Sequence, residues 1–170
     1  AGGRVRGILW YQGESDADGG PLSATYGERF ERAVAAWRSA LGDPRLPVLT
    51  VQLNRYYTPA TPELERGWAE LREAQRQVPR RLAGVAVVPA LDLGLSDLIH
   101  NSPAANLILG ERLARAALGL AYGRPLDYLA PDVQSAHAFD GRRLVDLLFA
   151  PVSSRMESID LCSNCFTVED

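Results

Sequence analysis

Two short peptides carry residue types able to do chemistry. The first is Ser96-Asp97-Leu98-Ile99-His100. Asp97 and His100 stand three apart, just ahead of an expected helix. A carboxylate so placed can accept the Nδ1–H of the imidazole, fix its tautomer and stabilise the imidazolium, leaving Nε2 as a base. The alternative is a solvated loop histidine, because Asp-x-x-His also arises by chance. The second peptide is Gln12-Gly13-Glu14-Ser15-Asp16, where an apolar run stops. Gly13-x-Ser15-x-Ala17 imitates a nucleophile elbow, and the order Ser, Asp, His is that of α/β-hydrolases.

One detail argues against Ser15 as the nucleophile. In an elbow the helix starts at the nucleophile, so its N-terminus helps to form the oxyanion site. Here Gly19, Gly20 and Pro21 intervene before Ser23, the expected helix cap. Gln12 leaves its strand toward a pocket mouth, and its amide can donate to a developing oxyanion. Glu14 cannot do so while ionised; it can orient a neighbour or accept from a substrate hydroxyl. The alternative for both is a polar loop that satisfies its own backbone.

Three strand–helix repeats position these peptides. "VRGILWYQ" (5–12) reads as a strand buried on both faces. The helix after it carries the stripe Tyr26, Phe30, Val34, Trp37 and Leu41. "VLTVQL" (48–53) reads as a second buried strand. Thr61-Pro62 looks like the cap and first residue of a helix with the stripe Leu64, Trp68, Leu71, Gln75 and Val78. "GVAVVPAL" (84–91) is a third strand. Ser102-Pro103 opens a third helix running to about Tyr122 through Leu107, Leu113, Ala117 and Leu120, stopped by Gly123 and Pro125. Such repeats mean parallel βαβ units, in which ligands bind beyond the carboxyl ends of the strands. Loops 12–22, 54–61 and 92–102 lie there, and the two polar peptides fall in two of them. After Pro125 two strands joined at Asp140-Gly141 read as a hairpin that begins a small β unit. The organisation expected is an α/β domain over 1–125, a β unit over 126–152 and an irregular tail over 153–170.

Composition removes other chemistries. All eighteen basic residues are Arg, so a P-loop and lysine-based nucleophilic catalysis are both excluded. The net charge of −3 and the lack of a basic stripe on any predicted helix speak against a nucleic-acid partner. Cys162 and Cys165 form half a zinc site at most, and no βαβ pattern surrounds them as a thioredoxin-like site requires. Their plain reading is two incidental thiols. No apolar run reaches transmembrane length. The chain opens "AGGRVRG" without Met, so its true N-terminus is expected elsewhere, and the compartment is left open.

Five ordered blocks carry a family resemblance. "RGILWYQGESDA" resembles the "RGVxWYQGESNA" block of sialate O-acetylesterases and related carbohydrate esterases of the SGNH hydrolase superfamily. "YGERFERAVAAWRSALGDPRLPVLTVQLNRY", "WAELREAQ", "AVVPALDLGLSDLIH" and "GERLARAALGLAYG" resemble later blocks in order, over residues 4 to 124. The resemblance implies a three-layer α/β/α, flavodoxin-like parallel sheet. It also implies that Asp97 and His100 are the acid and base of a triad, and that Gln12, Gly13 and Glu14 belong to the site loop, with Gln12 the oxyanion donor. The substrate implied is an acetylated carbohydrate, with no cofactor and no metal. In the family the nucleophile lies in an N-terminal Gly-Gln-Ser-Asn block. That block, and a further oxyanion-hole glycine, do not occur here. The chain therefore reads as an interior piece, incomplete at the N-terminus and inactive by itself. Asn101 stands where Pro often follows the His, and Asp16 where Asn is common. Two alternatives accompany this reading: a hydrolase using Ser15 as nucleophile, and a non-catalytic carbohydrate-binding protein. The family's largely extracytoplasmic setting implies a secreted or periplasmic protein.

Overall fold

A computed structural model describes residues 2–17, 19–57, 61–139 and 144–150. The Asp140-Gly141 turn, Cys162 and Cys165 lie outside the described residues. Three strands form a parallel sheet in the order β1 (Ile8–Trp10), β2 (Val48–Gln52), β3 (Val85–Pro89). Ile8 pairs with Val48, and Val48 in turn with Val85. The helices are α1 (Pro21–Ala40), α2 (Pro62–Arg81) and α3 (Pro103–Leu120), one after each strand. A strand buried on both faces needs apolar residues at successive positions, and β2 supplies Val48, Leu49, Thr50 and Val51, all buried.

The pleat sends alternate residues to opposite sides. Val48 and Val85 join Tyr26, Phe30 and Val34 of α1 and Trp68, Leu71 and Val78 of α2 in one core. Leu49, Val51, Ala86 and Val88 meet Ala105, Leu109 and Ala116 of α3 in the other. The architecture is therefore three-layered, α/β/α. Thr61 caps α2 by accepting from Leu64 N–H, and Ser102 caps α3 by accepting from Ala105 N–H, each followed by the expected Pro. Among the described residues no helix is long and apolar enough to cross a membrane.

Several local expectations need correction. The first strand is three residues long rather than eight, and only one of its faces is covered. Ile8 and Trp10 pack toward α1 and α2, whereas Leu9 between them is 63% exposed. Ser23 does not cap α1. Pro21 starts that helix behind Gly20, and Ser23 is buried inside it, its Oγ 2.8 Å from Glu70 Oε2 and 2.9 Å from Gly20 O. Of the expected α3 stripe, Leu107 is 79% exposed, whereas Leu113, Ala117 and Leu120 pack, partly buried, beside the buried Ala105, Leu109 and Ala116.

Beyond α3 the chain forms an antiparallel pair, β4 (Val133–Phe139) with β5 (Leu144–Phe149). Asp132, at its base, pairs with both Arg76 and Arg80 of α2.

Candidate active site

The loops after β1, β2 and β3 leave the sheet at the same end, because the strands are parallel. The first loop is held down onto α2. Gly13 has φ +152, a backbone conformation that L side chains rarely adopt, and a Cβ there would lie 2.9 Å from Leu71 Cδ2 and 3.2 Å from Leu53 Cδ1. The carbonyl of Gln12 accepts from Tyr26 Oη at 3.1 Å and from Gln75 Nε2 at 3.2 Å. Glu14–Asp16 then makes a single 3-10 turn, closed by Asp16 N–H on the Gly13 carbonyl at 2.9 Å. Ser15 is exposed on this turn, and α1 begins only at Pro21. Among the described residues no hydrogen bond joins Gln12, Glu14 or Ser15 to Asp97 or His100.

Gln12 is oriented through its side chain. Its Nε2 donates to Asp16 Oδ2 at 2.8 Å, and Asp16 pairs with Arg29 at 3.2 Å. An ionised Asp is acceptor-only, so it dictates which end of the Gln12 amide faces it. One N–H is engaged there, and the amide has a second.

The third loop carries Asp97 and His100. Arg112 anchors its start, with two contacts to Asp92 at 2.7 and 2.6 Å and one to the Pro89 carbonyl at 3.0 Å. The chain then closes on itself. Leu95 bridges Asn101, Ser96 N–H donates to the His100 carbonyl at 2.9 Å, and Ser102 N–H to the Gly94 carbonyl at 2.9 Å. Asp97 sits inside this small hairpin. Its Oδ1 accepts the N–H groups of Ile99 (2.9 Å) and His100 (2.8 Å), and its Oδ2 lies 2.7 Å from His100 Nδ1. The two backbone N–H groups first, and the imidazole after them, hold the Asp97 carboxyl down at about 2. It is therefore ionised at neutral pH and accepts from Nδ1–H. The His100 side chain is 72% exposed, and among the described residues no hydrogen bond engages its Nε2.

Asn54, Asn101, Tyr11 and Gln75 also shape this end of the sheet, and sequence reasoning did not single them out for it. Asn54 is buried and donates to the Leu93 carbonyl (3.1 Å) and to Asn101 Oδ1 (2.7 Å). Asn101 Nδ2 donates to Tyr11 Oη at 3.2 Å. Burial, and then the Glu14 carboxylate, push the Tyr11 hydroxyl up from its ordinary value, so it stays protonated. Gln75, fully buried on the α2 stripe, accepts from Leu53 N–H at 2.9 Å. A buried amide inside an apolar stripe was the one signal in the sequence that could have found it.

Residues 1–119 match the model of the family described as carbohydrate esterase, sialic acid-specific acetylesterase. A probable carbohydrate esterase of Arabidopsis thaliana is 34% identical over 119 residues, which are 69% of this chain and 42% of that protein. Among solved structures, a carbohydrate acetylesterase from Xanthomonas citri superposes with a TM-score of 0.67 at 36% identity, over 78% of this chain and 30% of that one. An Arabidopsis thaliana protein superposes with a TM-score of 0.61 at 32% identity, over 70% of this chain and 46% of that one. The chain spans less than half the length of each of these relatives. The three-layer fold is that of SGNH-type esterases. The chain belongs to the sialic acid-specific acetylesterase family of carbohydrate esterases.

Proposed function

We propose that this chain carries the acid–base half of a carbohydrate O-acetylesterase. The observation that carries the reading is the Asp97–His100 pair, joined at 2.7 Å on the loop at the carboxyl end of β3, with no hydrogen bond on Nε2 among the described residues. In this mechanism a serine hydroxyl attacks the acetyl carbonyl. His100 Nε2 takes its proton and then returns it to the leaving sugar oxygen, while Asp97 stabilises the imidazolium between these steps. Gln12, with its amide set by Asp16, donates to the oxyanion. Water, deprotonated by the same histidine, releases acetate. The chemistry needs no cofactor. The substrate is an acetylated sugar, the class for which the family is named.

Ser15 is not the nucleophile in this reading. It rides on a separate 3-10 turn, makes no hydrogen bond with His100 among the described residues and lacks a helix N-terminus behind it. The serine that His100 activates is then supplied by a part of the protein other than the described elements. The chain alone accordingly has little or no esterase activity. Residues 1–125 act as the hydrolase portion and the β4–β5 hairpin as the start of an accessory unit.

The test is hydrolysis of p-nitrophenyl acetate by the purified chain beside His100→Ala and Ser15→Ala, with folding verified by circular dichroism. The expected result is a folded chain with no rate above its variants. Activity abolished by both substitutions would make Ser15 the nucleophile and overturn the assignment of its turn as a wall of the site.

A further inference from the structure

Three loops from three strands converge on one side chain beside His100. The hairpin 95–101 has a local closure of its own, but that closure does not fix its height or tilt over the sheet. Contacts to the rest of the chain do. Tyr57 N–H donates to the Leu98 carbonyl at 2.8 Å. Ile99 packs against the α1/α2 core. The Asn101 amide uses both ends. Its oxygen accepts from Asn54, just beyond β2, and its nitrogen donates to Tyr11 Oη, just beyond β1.

Asn54 is suited to its part. It is 2% exposed, and its Nδ2 is shared between Asn101 and the Leu93 carbonyl, while its Oδ1 accepts Arg55 N–H at 2.7 Å. A buried, saturated amide is a rigid anchor, since every alternative rotamer strands a polar group away from water. Asn101 is tied to that anchor and is covalently next to His100. The imidazole itself is largely exposed, with Asp97 as its hydrogen-bond partner, and Asp97 moves with the same hairpin. Local pairing therefore sets the tautomer of His100 but leaves its location to be set by other contacts.

We infer that Asn101, held between Asn54 and Tyr11, is a positioning residue that fixes the Asp97–His100 hairpin over the carboxyl end of the sheet. The inference rests on the reading of His100 as the general base. A base displaced by about 1 Å loses much of its effect, so a rigid tether at the adjacent residue has a functional use.

The test is solution NMR of the intact chain, comparing wild type with Asn101→Leu and Tyr11→Phe. In the wild type the His100 ring Cε1–H signal is expected to be free of microsecond-to-millisecond exchange broadening. Asn101→Leu removes two hydrogen bonds. It should produce relaxation dispersion at the His100 ring and speed amide exchange at Ser96, Tyr57 and His100 by about tenfold. The β2–β3 ladder amides should be unchanged, which a general loss of stability would not allow. Tyr11→Phe removes only the hydrogen bond to the partly exposed partner and should give a smaller effect of the same kind. Unchanged ring dynamics and exchange in both variants would overturn the inference, as would wild-type broadening at His100. These signals are read without any turnover. Ser15-dependent esterase activity would therefore sink the functional reading while leaving the tether standing.

Discussion

Gln75 Oε1 accepts the backbone N–H of Leu53 at 2.9 Å, joining the middle of α2 to the residue just after β2. The same side chain donates to the carbonyl of Gln12 at 3.2 Å. One buried amide thus fastens two of the three loops that line the candidate site to the helix beneath them. The backbone groups it satisfies lie where strand pairing has run out and water is excluded.

Replacing Gln75 with Met keeps most of the volume but leaves the Leu53 N–H without a partner. The Gln12 carbonyl still has Tyr26 Oη. A loss of about 1–3 kcal/mol is expected, the cost of one stranded buried donor. It is measured as a lower urea midpoint at unchanged m-value. A midpoint equal to wild type would mean that water reaches Leu53 N–H, and the fastening would then be dispensable.

Gly13→Ala tests whether the Gln12–Asp16 turn is pressed onto α2. The backbone there has φ +152, and the new methyl would meet Leu71 and Leu53. The strained conformation alone costs on the order of 1–3 kcal/mol. Ser15→Ala, on the exposed side of the same turn, should lie within about 0.5 kcal/mol of wild type. Comparable stabilities for the two variants would show that the turn is not seated as described.

Gly67→Ala probes the next contact along the same loop. A Cβ on Gly67 would lie 2.2 Å from Gly19 N and 2.7 Å from the Ala17 carbonyl. Both are backbone atoms, so no rotamer change can relieve the clash; the segment and the helix must separate. A greater loss of thermal stability than for Gly13→Ala is expected. Differential scanning calorimetry of the two variants decides the order.

Much of the fold was legible because its signals are local. The positions of β2 and β3 follow from short apolar runs, and Thr61-Pro62 and Ser102-Pro103 mark the starts of α2 and α3. The proximity of Asp97 and His100 is likewise local, three residues within one hairpin. What failed depends on neighbours distant in sequence. "VRGILWYQ" looks like a strand covered on both sides, but composition does not say which neighbours a face has, and Leu9 is exposed. Ser23 resembles a cap by type, yet Pro21 behind Gly20 starts the helix and Glu70 of α2 engages the hydroxyl. The Asn54–Asn101–Tyr11 chain joins residues 47 and 90 positions apart, a separation at which no periodicity or pair spacing carries information. In the sequence, Asn101 stands out only as a departure from the Pro that often follows the His in the resemblance.

The pH response of the 95–101 hairpin follows from Asp97. Its carboxyl is lowered from the ordinary 3.8 to about 2, first by the N–H groups of Ile99 and His100 and then by the imidazole. A carboxyl lowered on folding stabilises the native hairpin at every pH above its unfolded value. That contribution fades as pH falls from about 4 toward about 2, and it is absent below. The Asp97 side-chain carboxyl carbon should therefore titrate near pH 2, and the hairpin amides should lose exchange protection over the same interval. Asp97→Asn should abolish this pH dependence. It should also reverse the imidazole, because a side-chain amide N–H facing Nδ1 in that variant requires the ring proton to sit on Nε2. Ring nitrogen shifts of His100 report that reversal directly. An Asp97 midpoint near 4, or an unchanged tautomer in the variant, would mean that the carboxylate neither caps the hairpin nor orients the base.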